Sequence, residues 1–322
     1  MAVINVLKVL FPFYHTVSDR ELVHIKHLYR VRTIKEFKND LDFFLRFCHP
    51  LDINQLIKSF ENNKPLENRS FVLSFDDGLS QVYDIIVPIL KEKGISAIFF
   101  LNPSFIDNKD LFFRYKASVL AEKFIQSENP TLIKAIVELL NVKFGSKKET
   151  VKHILTIDYT SKSKLDEIAK LLEIDFTKFL SDEKPYLTEA QIHSIIKDGF
   201  FIGAHSMDHP RYNKITLEEQ LHQTIESVDT LQKHYTLNYR LFSFPFSDSG
   251  VSKHFFEEIY KKDNRQLDLS FGISGIKKDI FPRNIQRLPV ENYSVPASWS
   301  VFIQYIYWLL KIPFGKNTMQ RL

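Results

Sequence analysis

Two short segments of this 322-residue chain hold residue types that can do hydrolytic chemistry. In the first, Asp76-Asp77-Gly78, two carboxylates stand side by side where the apolar run Phe71 to Phe75 ends. Neighbouring strand residues point to opposite sides, but the glycine allows a tight turn that can bring both carboxylates toward one cleft. Asp-Gly is equally a common surface-turn dipeptide, so the pair alone does not choose between these roles. In the second segment, His205-Ser206-Met207-Asp208-His209, two imidazoles can reach one ion if the backbone is helical or tightly looped. Pro210 then stops the segment and fixes its geometry; the alternative is a pair of exposed loop histidines. Taken together, one carboxylate and two neutral imidazoles make a three-ligand site with open positions for water. A metal there lowers the pKa of bound water toward about 7, and the remaining carboxylate is placed to take its proton.

The elements that must position these groups read as alternating strands and helices. Thr33 with Glu36 forms a capping-box signature ahead of a helix with Phe37, Leu41, Phe44 and Leu45 on its apolar face. Asp52 can cap a second helix over Gln55 to Phe60. After the Asp76-Asp77-Gly78 turn come a helix from Val82 to Lys93, stopped by Gly94, and a strand from Ile95 to Leu101. Thr188 and Gln191 cap a helix to Asp198, and Phe200 to Ala204 forms a strand closing on His205. Thr216 to Tyr235 is the clearest amphipathic helix, with Thr216 and Glu219 as a further capping box. Strands follow at Leu241 to Phe244 and Leu269 to Ile273. Repeated strand, polar loop, helix units imply a parallel sheet or barrel whose chemistry sits where the strands end. Between the two site segments, about Asp107 to Pro185 reads as a lysine-rich helical insertion, including Tyr115 to Phe124 and Leu132 to Phe144.

Ser74-Phe75-Asp76-Asp77-Gly78 and His205-Ser206-x-x-His209 resemble the first two motifs of the polysaccharide deacetylases, the NodB-homology or carbohydrate esterase family 4 group. Leu241-Phe242-Ser243-Phe244-Pro245-Phe246 is similar to the third. The resemblance spans roughly Val9 to Val17 and Phe71 to Leu288, interrupted by the helical block. It implies a distorted (β/α) barrel in one catalytic domain that removes an N-acetyl group from a sugar. It also implies a divalent metal, zinc first with cobalt, nickel or manganese as alternatives. By the same resemblance Asp76 is the base, Asp77, His205 and His209 hold the metal, and Pro245 with Phe246 borders the acetyl group.

Two departures stand out. The family's third motif carries an arginine that orients the base, whereas Ser243 or Phe244 stands there in this chain; Arg287 is the substitute candidate. The family's late Leu-x-His, which supplies the acid, is missing, since no histidine follows His254. His15, in Phe13-Tyr14-His15-Thr16-Val17, is a candidate for the acid's place, and Asp248 is a second polar candidate at the substrate. His193 and His222, on helices, and His24 and His27, in an irregular polar stretch, read as ordinary surface residues.

Composition narrows the class further. A net charge of +4 is spread along the chain without a basic run, which argues against nucleic acid as a partner. The single cysteine, Cys48, excludes an internal disulfide and fits a reducing compartment. The 29 Phe and 13 Tyr suit core packing and equally a sugar-lined cleft. Met1 to Tyr14 reads as a first buried strand, not a signal peptide. The aromatic helix over about 297–311 is too short and too polar to span a bilayer. It fits a core helix or, with Lys311 and Lys316, a peripheral contact at the inner face of a membrane. These ends suggest a cytoplasmic enzyme acting on a glycan destined for the cell surface, lipid-linked in one version. The rival readings are an amidase on a non-sugar amide, and a sugar-binding or assembly protein without turnover. Oligomeric state is not legible.

Overall fold

Most residues in the strands of the main sheet are apolar and all but Pro289 are buried, the pattern of parallel strands covered by helices. A computed structural model describes residues 4–143, 145–291 and 295–321. The chain divides into two compact units.

The first unit comprises Met1–Asp19, Val31–Asp107 and Tyr186–Leu322. Its main sheet contains β1 (Pro12–Tyr14), β2 (Leu73–Phe75), β3 (Ala97–Leu101), β4 (Phe201–Ala204), β5 (Leu241–Ser243), β6 (Leu269–Gly272), β7 (Asn284–Gln286) and β8 (Leu288–Pro289). Neighbours run β7-β6-β5-β4-β3-β2-β1-β8, all parallel. The chain passes from β7 at one edge to β8 at the other through Arg287, whose amide donates to the Gly272 carbonyl at 2.9 Å. The result is a nearly closed (β/α) barrel, as the sequence implied.

Period-two alternation divides the strand side chains between two cores. Ile98, Phe100, Phe201, Leu241, Leu269 and Phe271 belong to one cluster. Ala97, Phe99, Leu101, Ile202, Ala204 and Phe242 pack in the other with residues of the surrounding helices. Gly203 is required by this packing, because a Cβ there would meet the Phe100 ring at 2.5 Å. A separate small sheet pairs Val9–Leu10 and His49–Pro50 with Ser70–Phe71.

Several local expectations are refined. The strand expected over Met1 to Tyr14 begins only at Val9, and Met1–Val3 lie outside the described residues. Asn5 starts a turn instead: its carbonyl accepts from Lys8 and Val9 and its side chain from Leu7. The helix expected from Val82 to Lys93 opens with a π-helical turn, Val82–Ile86, before Val87–Lys93. Pro88 lacks an N–H for the regular ladder, which accounts for a change of pitch here. Both capping boxes at Thr33 and Thr188 form. At Thr216 only half forms, because Glu219 accepts from Gln223 at 3.0 Å. The helix Ala297–Lys311 is no core helix: it buries only Ala297, Ser300 and Val301 and exposes most of its large side chains. Among the described residues no helix is long and apolar enough to cross a membrane.

The second unit comprises Arg20–Arg30 and Asn108–Pro185. Its helices are Phe113–Gln126, Pro130–Leu140, Lys147–Leu155, Ser163–Leu171 and Phe176–Glu183. The helix expected to reach Phe144 ends at Leu140, where Asn141 adopts a left-handed backbone; Phe144 lies outside the described residues. Arg20–Arg30 belongs to this unit, which corrects the reading of His24 and His27 as surface groups. His24 is 2% exposed, its ring set edge-on to Tyr115 and Phe179, and burial lowers its pKa to about 4. His27 lies 2.8 Å from Glu122.

Candidate metal centre and active site

The alternation that fills the barrel also delivers the site. Ser74 on β2 bonds Arg287, and two residues on, past Phe75 of the helix-side core, Asp76 does the same. Asp77 would then point the other way, but it and Gly78 both adopt left-handed backbone, φ 71° and 62°. The chain is thereby turned and Asp77 joins the cluster. A side chain at Gly78 would put Cβ 2.8 Å from Leu101, so the turn admits only glycine without a shift.

His205 follows β4, its amide donating to the Leu101 carbonyl at 2.8 Å. Ser206 and His209 both have φ of 65°, and the Ser206 hydroxyl accepts from the His209 amide at 3.0 Å. Asn102 donates to the carbonyls of His205 and Ser206, while Gln223 accepts from the Met207 amide at 3.0 Å. This scaffold lifts both imidazoles to the same place. Their ring centroids are 4.7 Å apart at 75°. His205 Nε2 lies 3.5 Å and His209 Nε2 3.2 Å from Asp77 Oδ1.

The donor set fits a cation. Asp77, His205 and His209 are all buried and each offers a ligand atom within 4.8 Å of the others. His205 Nδ1 lies 2.8 Å from the Ser243 carbonyl, so Nδ1 carries the proton and the Nε2 lone pair faces Asp77. Burial lowers the His205 pKa to about 4, keeping the ring neutral as a ligand must be. Asp77 is pushed up by burial, but His209, His15 and His205 outweigh this and hold it below the ordinary carboxylate range.

Asp76 stands beside this triad, 3.9 Å from His205 Nε2, and Arg287 grips it. Nη1 and Nη2 of Arg287 each donate to one oxygen of Asp76 at 2.7 Å. The same guanidinium donates to Ser74 Oγ at 3.0 Å and Ser243 Oγ at 2.6 Å, and lies over the Phe13 ring at 4.4 Å. Burial raises the Asp76 pKa, but the Arg287 charge prevails and the carboxyl stays lowered. Ser243, one of the two residues expected where the third motif carries arginine, accepts a bond from the arginine that arrives from the β7–β8 crossing.

His15, just past β1, is fixed by Glu291, which sequence reading did not single out. The Glu291 carboxylate accepts from the His15 amide at 3.0 Å and bonds its Nδ1. Burial would lower the His15 pKa, but Glu291, then Asp77 and Asp76, raise it to about 9. Phe246, with φ of 58°, sets its ring 4.7 Å from that of His209, and the Arg211 guanidinium lies 4.0 Å from the same ring. Arg211 is a second residue the sequence did not flag. Pro245 precedes this bend.

Asp248 does not join the group. It is fully buried, accepts from Asn284 at 2.8 Å and Gln286 at 2.6 Å, and is paired with Arg321. His193, half-exposed on its helix, lies 3.8 Å from Glu189, to which His234 bonds at 2.6 Å.

The family profile for polysaccharide deacetylase matches residues 63–168 and 145–262. This chain belongs to the polysaccharide deacetylase family. Solved structures similar to this polysaccharide deacetylase include the deacetylase PplD of Streptococcus pyogenes in complex with acetate. It is 14% identical, with 92% of this chain and 97% of that one covered and a TM-score of 0.55. IcaB from Ammonifex degensii is also 14% identical, covering 91% and 97%, with a TM-score of 0.56. The de-N-acetylase from Aggregatibacter actinomycetemcomitans covers 92% and 99% at 14% identity, with a TM-score of 0.52. At such identities these likenesses speak for the barrel. No curated protein matches the chain.

Proposed function

We propose that this family member is a hydrolase that removes the N-acetyl group from an amino sugar of a polysaccharide, oligosaccharide or lipid-linked glycan. Asp77, His205 and His209 would hold one divalent cation. Two imidazoles and a carboxylate favour zinc, with cobalt, nickel and manganese as chemical equivalents. The observation that carries this reading is the two-point grip of Arg287 on Asp76 beside the Asp77-His205-His209 triad. A purely structural cluster has no use for an ionised carboxylate kept next to three ligands and outside their set.

The cation, when bound, supplies polarisation of the acetamide carbonyl and acidifies a water. The protein does the rest. Asp76, held ionised by Arg287, accepts the proton of the attacking water. Arg287 fixes both oxygens of Asp76, so its lone pairs are aimed before substrate arrives. His15, kept protonated by Glu291, is the acid for the departing amine. Pro245 and Phe246 flank the acetyl methyl, and a backbone N–H near Phe246 steadies the developing oxyanion. Acetate and a free amino sugar are the products. The two departures from the family motifs, arginine and acid, thus find substitutes in Arg287 and His15.

The test is acetate release from N-acetylglucosamine oligosaccharides by the metal-loaded protein. Asp76→Asn should lower kcat by about 10²–10⁴-fold while metal content stays the same. Turnover of simple amides without any N-acetyl sugar would make the protein an amidase. Sugar binding that Asp76→Asn leaves unchanged, with no acetate released by wild type, would make it a binding protein.

A further inference from the structure

The helix Ala297–Lys311 and the turn Ile312–Phe314 after it present an apolar edge to solvent. Trp299, Phe302, Ile306 and Leu310 recur at spacings of three and four, which places them along one face, and all four are exposed. The stripe continues into Ile312 and Phe314, the latter 72% exposed. On the inner edge Val301 is buried and the Tyr305 hydroxyl donates to the Leu7 carbonyl at 2.8 Å, so the helix is anchored to the barrel unit. A continuous exposed patch of this kind marks an interaction surface.

The formal charges of the segment that carries the stripe have one sign. After Glu291 the sequence contains no Asp or Glu. Lys311 Nζ lies 5.7 Å from the Tyr307 ring centroid and Lys316 Nζ 5.9 Å from that of Phe314, so the cations border the aromatic edge. The loop Lys277–Lys278 adjoins them: Lys278 donates to the Asn317 carbonyl at 2.9 Å and accepts from Met319 at 2.8 Å. The remaining basic group, Arg321, is spent internally on Asp248 and Asp279.

Beside the helix lies a cavity of about 220 Å³, its apolar lining including Ile4, Phe60, Ile276 and Leu288, with Lys277 and Lys278 also on its wall. Gly275 belongs to the same wall, and a Cβ on it would fall 2.2 Å from Gln304 of the helix, so wall and helix touch. The exposed stripe and its bordering lysines thus form one edge of the helix, and the cavity wall touches the helix on its inner side through Gln304.

We propose that this face docks on an anionic phospholipid bilayer, with the helix lying in the headgroup plane and the lysines against lipid phosphates. The helix of 15 residues is about 22 Å long, short of the roughly 30 Å of a hydrocarbon core, so it rests on the membrane and does not cross it. A second copy of the chain fits less well, since a two-fold contact would bring the same lysines together with no acid of this segment to offset them. Membrane docking is independent of the hydrolytic reading, and its test does not use activity.

Flotation of the full chain with phosphatidylcholine vesicles, with and without phosphatidylglycerol, decides the matter. Binding is expected with phosphatidylglycerol and should weaken in high salt. It should fall about tenfold or more in Lys311→Glu/Lys316→Glu, and again in Trp299→Ser/Phe302→Ser/Leu310→Ser. Because every one of these side chains is at the surface, melting curves should match wild type; if the serine variant melts early, the lysine variant alone decides. Absence of binding to anionic vesicles, or equal binding by the variants, overturns the proposal. So does a concentration-dependent dimer that the serine variant abolishes without any vesicle binding.

Discussion

Two of the buried clusters in the barrel unit set acids around an arginine, and they differ in their partners. In one, Arg321 pairs with Asp248 and Asp279, while Asn284 and Gln286 donate to the same carboxylates. Two acids meet one arginine and two amides. In the other, Arg287 takes up only Asp76, leaving Asp77 to face two imidazoles whose Nε2 atoms converge on it. Buried charge alone therefore does not mark a functional centre. The distinguishing feature is donor atoms that converge on one point, with the His205 ring held neutral and oriented by the Ser243 carbonyl. Asp248 looked like a substrate contact because it follows Phe246 by two residues; its partners lie far along the chain, Arg321 by 73 positions.

The difference can be broken from either side. Arg287→Met should have the largest effect, lowering kcat by about 10²-fold or more through a misaimed Asp76. It should also destabilise by about 3–5 kcal/mol, since the buried Asp76 keeps its charge without a partner. A variant with normal kcat would separate Arg287 from the chemistry. Arg321→Met should cost a similar stability, about 3–5 kcal/mol by chemical denaturation, because Asp248 and Asp279 then face each other unpaired. It should nevertheless keep metal content and most of kcat/KM in the folded fraction. Loss of metal in that variant would join the two clusters and erase the distinction.

Glu291→Gln should act more gently, reducing kcat about tenfold by weakening His15 as an acid. The sign of its stability effect follows from His15. A folded pKa raised to about 9 stabilises fully below the unfolded value of about 6.5, and that stability fades as pH rises through 9. In metal-free protein, the melting-temperature gap between wild type and Glu291→Gln should be widest below pH 6.5 and close toward pH 9. A gap that does not vary with pH would leave Glu291 as packing only.

Much of the candidate site was legible because its motifs are short. Asp76-Asp77-Gly78 and His205 to His209 each fit within one turn, and capping chemistry marked helix starts at Thr33, Asp52 and Thr188 to the residue. Arg287 was found through a gap in the third motif. Glu291 was missed because its partner His15 is 276 residues away, although it continues the alternation Arg287, Pro289, Glu291 past β8. Arg20–Arg30 was read as surface because it lacks periodicity; the burial of His24 depends on aromatic partners 91 and 155 positions along, Tyr115 and Phe179. Contacts of that range leave no local pattern.

The most direct test is elemental analysis of divalent metal after loading and desalting, on wild type and His205→Ala. About one equivalent per chain in wild type, lost in the variant, is what Asp77, His205 and His209 as ligands require. No uptake by folded wild type, or uptake unchanged by His205→Ala, would contradict the site on which the whole reading of Asp76, Arg287 and His15 depends.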